Sequence, residues 1–289
     1  MHARCQHLAR FMLSLATTVI VSLPAMSYAT PQRDGGTGGA PGHNPRILSP
    51  GSRAFGHSYG EWAERYWQWV LAQPTPSNPQ LDATGAFAGV GQSGPVWFLA
   101  GTFGSSAERS IRIPSGKALF FAVQPWIFGA GTFDCEPTVP GVPCDLPTLH
   151  AAAAVATDGS SVVEASIDGQ PVDNAAGYRA ADEGSFSITV PADNPIGIPA
   201  GTYSPQVVDG YWLLLAPLSP GEHTITAHIV SNQFGGFEYT LTDHIHVMPP
   251  SRMSASLSTV DFWKSAGADV APVPITKRAS WGSVKAIYR

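Results

Sequence analysis

The chain has 289 residues, of which 13% are charged, and its formal net charge at pH 7 is -5. A mildly acidic chain with only 16 lysines and arginines is a poor candidate for binding nucleic acid or an anionic membrane, so we expect no nucleic-acid partner. Its 30 glycines and 26 prolines favour a domain rich in β-strands and turns over a helical bundle.

Residues 1–29 have the three-part pattern of a secretory signal peptide. Arg4 and Arg10 precede an almost unbroken apolar stretch from Phe11 to Ala25, and small residues up to Ala29 fit a cleavage site. The apolar stretch is too short and wrongly flanked for a membrane-spanning helix. We therefore expect cleavage near Ala29, a secreted or periplasmic protein, and no transmembrane segment after cleavage.

The rest of the chain divides into three parts. Residues 30–52 are rich in glycine and proline and lack periodicity, which predicts a flexible leader. A single folded domain is expected over residues 53–250. Residues 251–289 return to a mixed pattern, which suits a docked tail or a short terminal helix.

A helix is predicted at the start of the domain. Ser58 and Glu61 form a Ser-x-x-Glu capping box, and apolar residues then recur at helical spacing until Pro74 ends the pattern. Three tryptophans in this segment form either a core plug or an aromatic binding face. The polar residues on the opposite side of the helix favour the core plug.

The same segment contains a sequence that resembles a catalytic motif. Gly56–Gly60 matches G-x-S-x-G, which would make Ser58 the nucleophile of a serine hydrolase. That motif requires a buried strand immediately before the serine, and residues 49–55 do not have a strand pattern. The helix cap explains Ser58 without any catalytic role, which counts against Ser58 as a catalytic candidate.

From Val96 onward, short apolar stretches are separated by turn residues. Strands are predicted at 96–102, 117–123, 162–167, 185–190, 211–217, 222–231 and 238–248, with one short helix at 146–157. Tight turns are expected at Asp168-Gly169 and at Phe234–Gly236. Strands without alternating helices predict a mainly β fold, an antiparallel β-sandwich of jelly-roll or Ig-like type.

Two cysteines follow the signal peptide, Cys135 and Cys144, separated by turn and extended-chain residues. In an oxidising compartment such a pair predicts a small disulfide loop. The alternative, a redox or metal-binding thiol pair, lacks both C-x-x-C spacing and a nearby histidine.

Histidines recur on two of the predicted strands. Two-residue alternation places His228 on the same face as His244 and His246 if 222–231 and 238–248 form a hairpin. Three imidazoles on one face could hold zinc or another divalent metal, with Glu222 or Asp243 as a fourth ligand, although the register turns Asp243 toward the core. The alternative is an ordinary solvated face without any cofactor.

Aromatic residues on the predicted strands suggest a second kind of site. An exposed aromatic surface would stack on sugars and make a glycan or envelope component the partner, although strand tryptophans more often belong to the core. The candidates are Trp97, Trp126, Tyr211 and Trp212.

Four sequence blocks, taken in order, resemble a family of exported bacterial proteins of uncharacterised function. They are YGEWAERYWQW (59–69), GQSGPVWFLAGTFG (91–104), IPSGKALFFAV (113–123) and DGYWLLLAPLSPGEHTITAH (209–228). The resemblance covers most of residues 55–248 and implies no activity and no catalytic residues.

Three functions follow as hypotheses. The first is a non-enzymatic secreted or cell-envelope binding protein, favoured because no convincing catalytic constellation is present. The second is an extracellular hydrolase, metal-dependent through the histidines or serine-type through Ser58. The third is a structural envelope assembly protein that docks through residues 251–289.

Overall fold

The computed structural model describes residues 46–132, 135 and 143–250. The predicted signal peptide at 1–29, most of the predicted leader at 30–52 and the predicted tail at 251–289 lie outside the described residues. The described part is mainly β, as predicted, with ten strands in two five-stranded sheets and two α-helices. None of the helices in this part is long and apolar enough to cross a membrane.

The two helices begin at side-chain caps. Helix α1 spans Tyr59–Leu71 and begins at the predicted capping box: the Glu61 amide donates to Ser58 Oγ at 3.2 Å, and the Ser58 amide donates to the Glu61 carboxylate at 2.7 Å. Helix α2 spans Leu146–Asp158 and begins at Asp145, whose carboxylate accepts from the Thr148 amide. Both starts are fixed locally, because each cap satisfies an amide that has no partner within the helix.

The first sheet has the strand order β1-β3-β8-β6, and β7 also pairs with β8. Its strands are β1 Val96–Leu99, β3 Ala118–Gly129, β6 Arg179–Ala181, β7 Phe186–Val190 and β8 Gly201–Leu215.

The second sheet has the strand order β2-β10-β9-β4-β5. Its strands are β2 Ala107–Pro114, β4 Ser160–Ile167, β5 Gln170–Pro171, β9 Gly221–Ser231 and β10 Phe237–Met248. The predicted turn at Asp168-Gly169 joins β4 to β5, and both of its residues have positive φ. Strands β9 and β10 form the predicted hairpin.

The sequence predicted antiparallel pairing throughout, but two strand pairs in the structure are parallel. Strand β1 is parallel to β3, and β2 is parallel to β10. After β1 the chain crosses to the other sheet to form β2 before it returns as β3, and such a crossover allows parallel pairing. Strand β2 was missed because its sequence, AERSIRIP, contains no apolar run.

The first sheet is buried on both faces along most of β3 and along the second half of β8. Along β3, Leu119, Phe121 and Val123 pack into the core between the two sheets. Phe120 and Ala122, which alternate with them, pack against α1 on the other side. The tryptophans of α1 are between 6% and 7% exposed and belong to this second core, which confirms the core plug.

The predicted disulfide partners lie together, with the Cα atoms of Cys135 and Cys144 5.1 Å apart. Cys135 is buried with Leu149 of α2 and Val207 of β8, so the link ties the start of α2 to the first sheet. Closing a loop of this length stabilises the fold by about 2.5 kcal/mol in the chain-entropy model.

The packed part of the chain begins before the predicted domain boundary at Arg53. Ile47 forms an isolated antiparallel bridge with Leu215, and the Leu48 amide donates to the Leu214 carbonyl at 2.8 Å. These last residues of the predicted leader therefore cover the end of β8.

Candidate functional site

The outward-facing side of the second sheet carries the histidines singled out by the sequence. We call it the histidine face, and it consists of alternate residues of β2, β10, β9 and β4. The intervening residues of the same strands are buried in the core between the sheets. The ionisable residues of the histidine face are Glu108, Arg112, Glu164, Glu222, His228, Glu238, His244 and His246.

The register of the hairpin decides whether the three histidines can act together. His244 lies opposite Thr224 and His246 opposite Glu222, whereas His228 lies opposite Thr240. Because His228 is four residues further along β9 than Thr224, and His244 lies on the neighbouring strand opposite Thr224, the backbones of His228 and His244 are about 14 Å apart. Among the described residues, no three histidine, cysteine, aspartate or glutamate side chains are placed to hold a metal ion. The predicted three-histidine metal site is therefore not formed.

Two of the three histidines of the face instead pair with one carboxylate each. His244 Nε2 lies 2.8 Å from Glu108 Oε1 on β2, and His246 Nδ1 contacts Glu222 Oε1 on β9. The face is thus a set of cross-strand imidazole–carboxylate pairs.

His228 is held between two carboxylates. Its Nε2 lies 3.0 Å from Glu238 Oε1, and its Nδ1 lies 3.3 Å from Glu164 Oε2. A neutral imidazole has only one N–H group, so two carboxylate contacts favour the protonated ring. The hydrogen bond to Glu238, and then the one to Glu164, raises the pKa of His228 above its ordinary value.

This pair of contacts predicts a pH-dependent stability. Because the pKa of His228 is raised in the native state, its protonated form stabilises the fold below the unfolded-state pKa of about 6.5. That contribution is lost as the pH rises through the raised native value. We expect the free energy of unfolding to fall over this range in the native chain, and to fall less in His228→Gln, as measured by urea denaturation at a series of pH values.

The double variant Glu164→Gln/Glu238→Gln is the control for this prediction. It keeps the imidazole but removes both charges that raise its pKa, so its pH dependence should match that of His228→Gln. If His228→Gln retains the full pH dependence of the native chain, the stabilising contacts of His228 are wrongly assigned.

Asp243 does not belong to the histidine face. It lies on the core side, as the predicted register required, and its side chain is 4% exposed. There it accepts hydrogen bonds from Arg109 of β2, a residue that the sequence gave no reason to single out.

The structure gives Ser58 the role of a helix cap. The segment before it is a short 3-10 turn at Ala54–Gly56, not the buried strand that a nucleophile elbow requires. His57 is directed to Glu61, with Nδ1 3.6 Å from its carboxylate, and Ser58 Oγ accepts from the Glu61 amide. The strand that a nucleophile elbow requires is therefore not formed before Ser58.

Three of the four candidate aromatic residues are buried and cannot form an exposed platform. Trp97 is 9% exposed, Tyr211 8% and Trp212 0%. Trp126 alone among the four is partly accessible, and its ring centroid lies 5.2 Å from that of Phe234 in the turn between β9 and β10. Phe234 is 45% exposed, so an aromatic contact with a ligand is available only at this turn among these residues.

A cavity of about 10 Å³ lies between the two sheets, beside Phe121, Ile225 and Asp243. Its volume suffices for about one water molecule. It is therefore a packing defect next to a buried ion pair and is too small for a substrate.

Comparisons with protein-family models, with curated proteins and with solved structures gave no match to this chain.

Proposed function

We propose that the chain is an exported, non-enzymatic binding protein of the cell envelope, and that the histidine face is its binding surface. Export is supported by the signal-peptide pattern of residues 1–29 and by the Cys135–Cys144 pair, which suits an oxidising compartment.

The observation that carries the proposal is the exposure of one broad polar surface on a rigid sheet. The glutamates of the histidine face are between 67% and 76% exposed, although each contacts a histidine. Their strands are held from behind by the core between the sheets. A surface of this shape recognises a partner without a cleft, because preorganised groups lose little conformational entropy on binding.

Thr226 and Thr242 mark the middle of this surface. They are direct cross-strand partners on β9 and β10, with their hydroxyl oxygens 3.5 Å apart. Replacing both with lysine adds two long cationic side chains at the centre of the histidine face. We expect this variant to bind isolated cell envelopes of the producing bacterium about tenfold more weakly, which is a loss of about 90% of the bound protein when binding is far from saturation.

The first sheet offers a matched control. Thr189 of β7 and Thr202 of β8 are also cross-strand partners, with their hydroxyl oxygens 2.9 Å apart. The Thr189→Lys/Thr202→Lys variant should bind envelopes as the native chain does. The proposal fails if the native chain does not sediment with any envelope fraction, or if both lysine variants lose binding equally.

A further inference from the structure

The charge of the histidine face depends on its histidines. When the histidines are neutral, four glutamates and one arginine give the face a net charge of -3. When all three histidines are protonated, the same set is neutral. Histidine is the side chain type whose ordinary pKa lies between neutral and mildly acid pH, so the histidines are the groups that change this balance over that range.

The negative charges are also spread along the strands. Glu222 and Glu238 lie near opposite ends of the β9–β10 hairpin, since Glu222 pairs with His246 and Glu238 with Val230. Val230 lies eight residues further along β9 than Glu222, which is a distance of about 27 Å. Glu108 and Glu164 lie on the strands to either side. A single small cation cannot contact charges placed so far apart, whereas an extended polycation can.

We infer that the histidine face binds a lysine- and arginine-rich polypeptide segment at neutral pH and releases it as its histidines gain charge at mildly acid pH. The inference rests on the proposed function and names the partner of that surface.

Complementary charge accounts both for binding of the basic segment and for its release. Each glutamate has a carboxylate that is largely exposed and can accept a hydrogen bond from an ammonium or guanidinium group. Arg112 of β2 lies opposite His246 and is the one cationic side chain of the face that does not titrate. Protonation adds cations beside each of the four carboxylates, because His244 contacts Glu108, His246 contacts Glu222, and His228 contacts the other two. A basic partner then meets a neutral surface.

The experiment measures the affinity of the full mature chain for a fluorescent oligolysine peptide by anisotropy. We expect affinity at about pH 7.5 to exceed that at about pH 5.5 about fivefold, because histidine side chains in general gain positive charge over this range and the net negative charge of the face then falls. The Glu222→Gln/Glu238→Gln variant should bind at least about fivefold more weakly at the higher pH.

A matched control removes the same charge elsewhere. Glu183 and Asp193 are exposed residues that flank β7 in the first sheet. The Glu183→Gln/Asp193→Asn variant should keep the native affinity. Equal weakening in both double variants would show that oligolysine follows the net charge of the chain and would overturn the inference.

The pH dependence is assigned with a third variant. His244→Gln/His246→Gln cannot add charge to the face at these two positions, so its affinity should fall less than that of the native chain between the two pH values. An unchanged pH dependence in this variant would overturn the release step.

The proposed function is tested separately by the envelope experiment with Thr226→Lys/Thr242→Lys. If that variant loses envelope binding but the native chain does not bind oligolysine, the face is a binding surface for another class of partner and the present inference is wrong.

Discussion

Replacing Asp243 by alanine is expected to lower the free energy of unfolding by about 3–5 kcal/mol. Asp243 of β10 and Arg109 of β2 are direct register partners, and their side chains are 4% and 2% exposed in the core between the sheets. Removing the carboxylate leaves the Arg109 guanidinium buried without a counter-charge. Its desolvation is then no longer offset.

The geometry of the pair adds to the expected loss. Arg109 Nε donates to Asp243 Oδ1 at 2.8 Å, and its Nη2 donates to Oδ2 at 3.2 Å. The remaining N–H groups reach backbone carbonyls on either side of β1, at Pro79 and at Ala100 and Gly101. Burial raises the pKa of the Asp243 carboxyl group, and the charge of Arg109 opposes that shift. The arginine therefore holds two connecting segments as well as two strands.

The neighbouring residues supply a control for Asp243. Glu108 and His244, which precede and follow the buried pair on the same two strands, form an exposed pair at 2.8 Å. Because exposed pairs are screened by water, Glu108→Ala should cost at most about 1 kcal/mol. Urea denaturation near pH 7 measures both variants. Equal shifts in the two midpoints would contradict the role assigned to the buried pair.

Local periodicity predicted the elements that position the candidate site. The capping box at Ser58 fixed the start of α1, and two-residue alternation placed His228, His244 and His246 on one face of the β9–β10 hairpin. Both signals arise from residues close in sequence, so they can be recognised without the fold.

The partners of those histidines could not be predicted in the same way. His244 contacts Glu108, which lies 136 residues earlier in the chain and on a strand that the sequence did not reveal. Glu108 lies on β2, which pairs with β10 in parallel, and such long-range pairing leaves no signal in the local sequence. The spacing along β9 that separates His228 from His244 also depends on the hairpin register, which is set by the turn.

The local sequence pattern also could not show which of the aromatic candidates are buried. A strand that is apolar at every position, such as the Tyr211–Leu215 segment of β8, gives no indication of which side chains are exposed. In the structure both faces of this segment are covered, one by the second sheet and the other by α1. Trp212 therefore packs between α1 and the first sheet.

Replacing Trp212 by alanine is expected to lower the free energy of unfolding by about 3–5 kcal/mol. Trp212 is 0% exposed, and its ring stacks on Phe120 with centroids 5.3 Å apart and an interplanar angle of 12°. It also meets Tyr66 of α1 edge to face, with centroids 5.3 Å apart. Alanine would leave a cavity where β3, β8 and α1 converge, and packed surroundings relax only in part around such a cavity.

The conservative substitution Trp212→Phe separates ring packing from hydrogen bonding. The indole Nε1 of Trp212 is buried and has no hydrogen-bond partner among the described residues, so phenylalanine keeps an aromatic contact and removes an unpartnered donor. Its cost should be about 1–2 kcal/mol, from the smaller ring alone. Trp126→Ala, which truncates a partly exposed tryptophan, should also cost less than Trp212→Ala. If all three variants shift the urea midpoint equally, the aromatic layer beneath α1 does not hold the helix on the sheet.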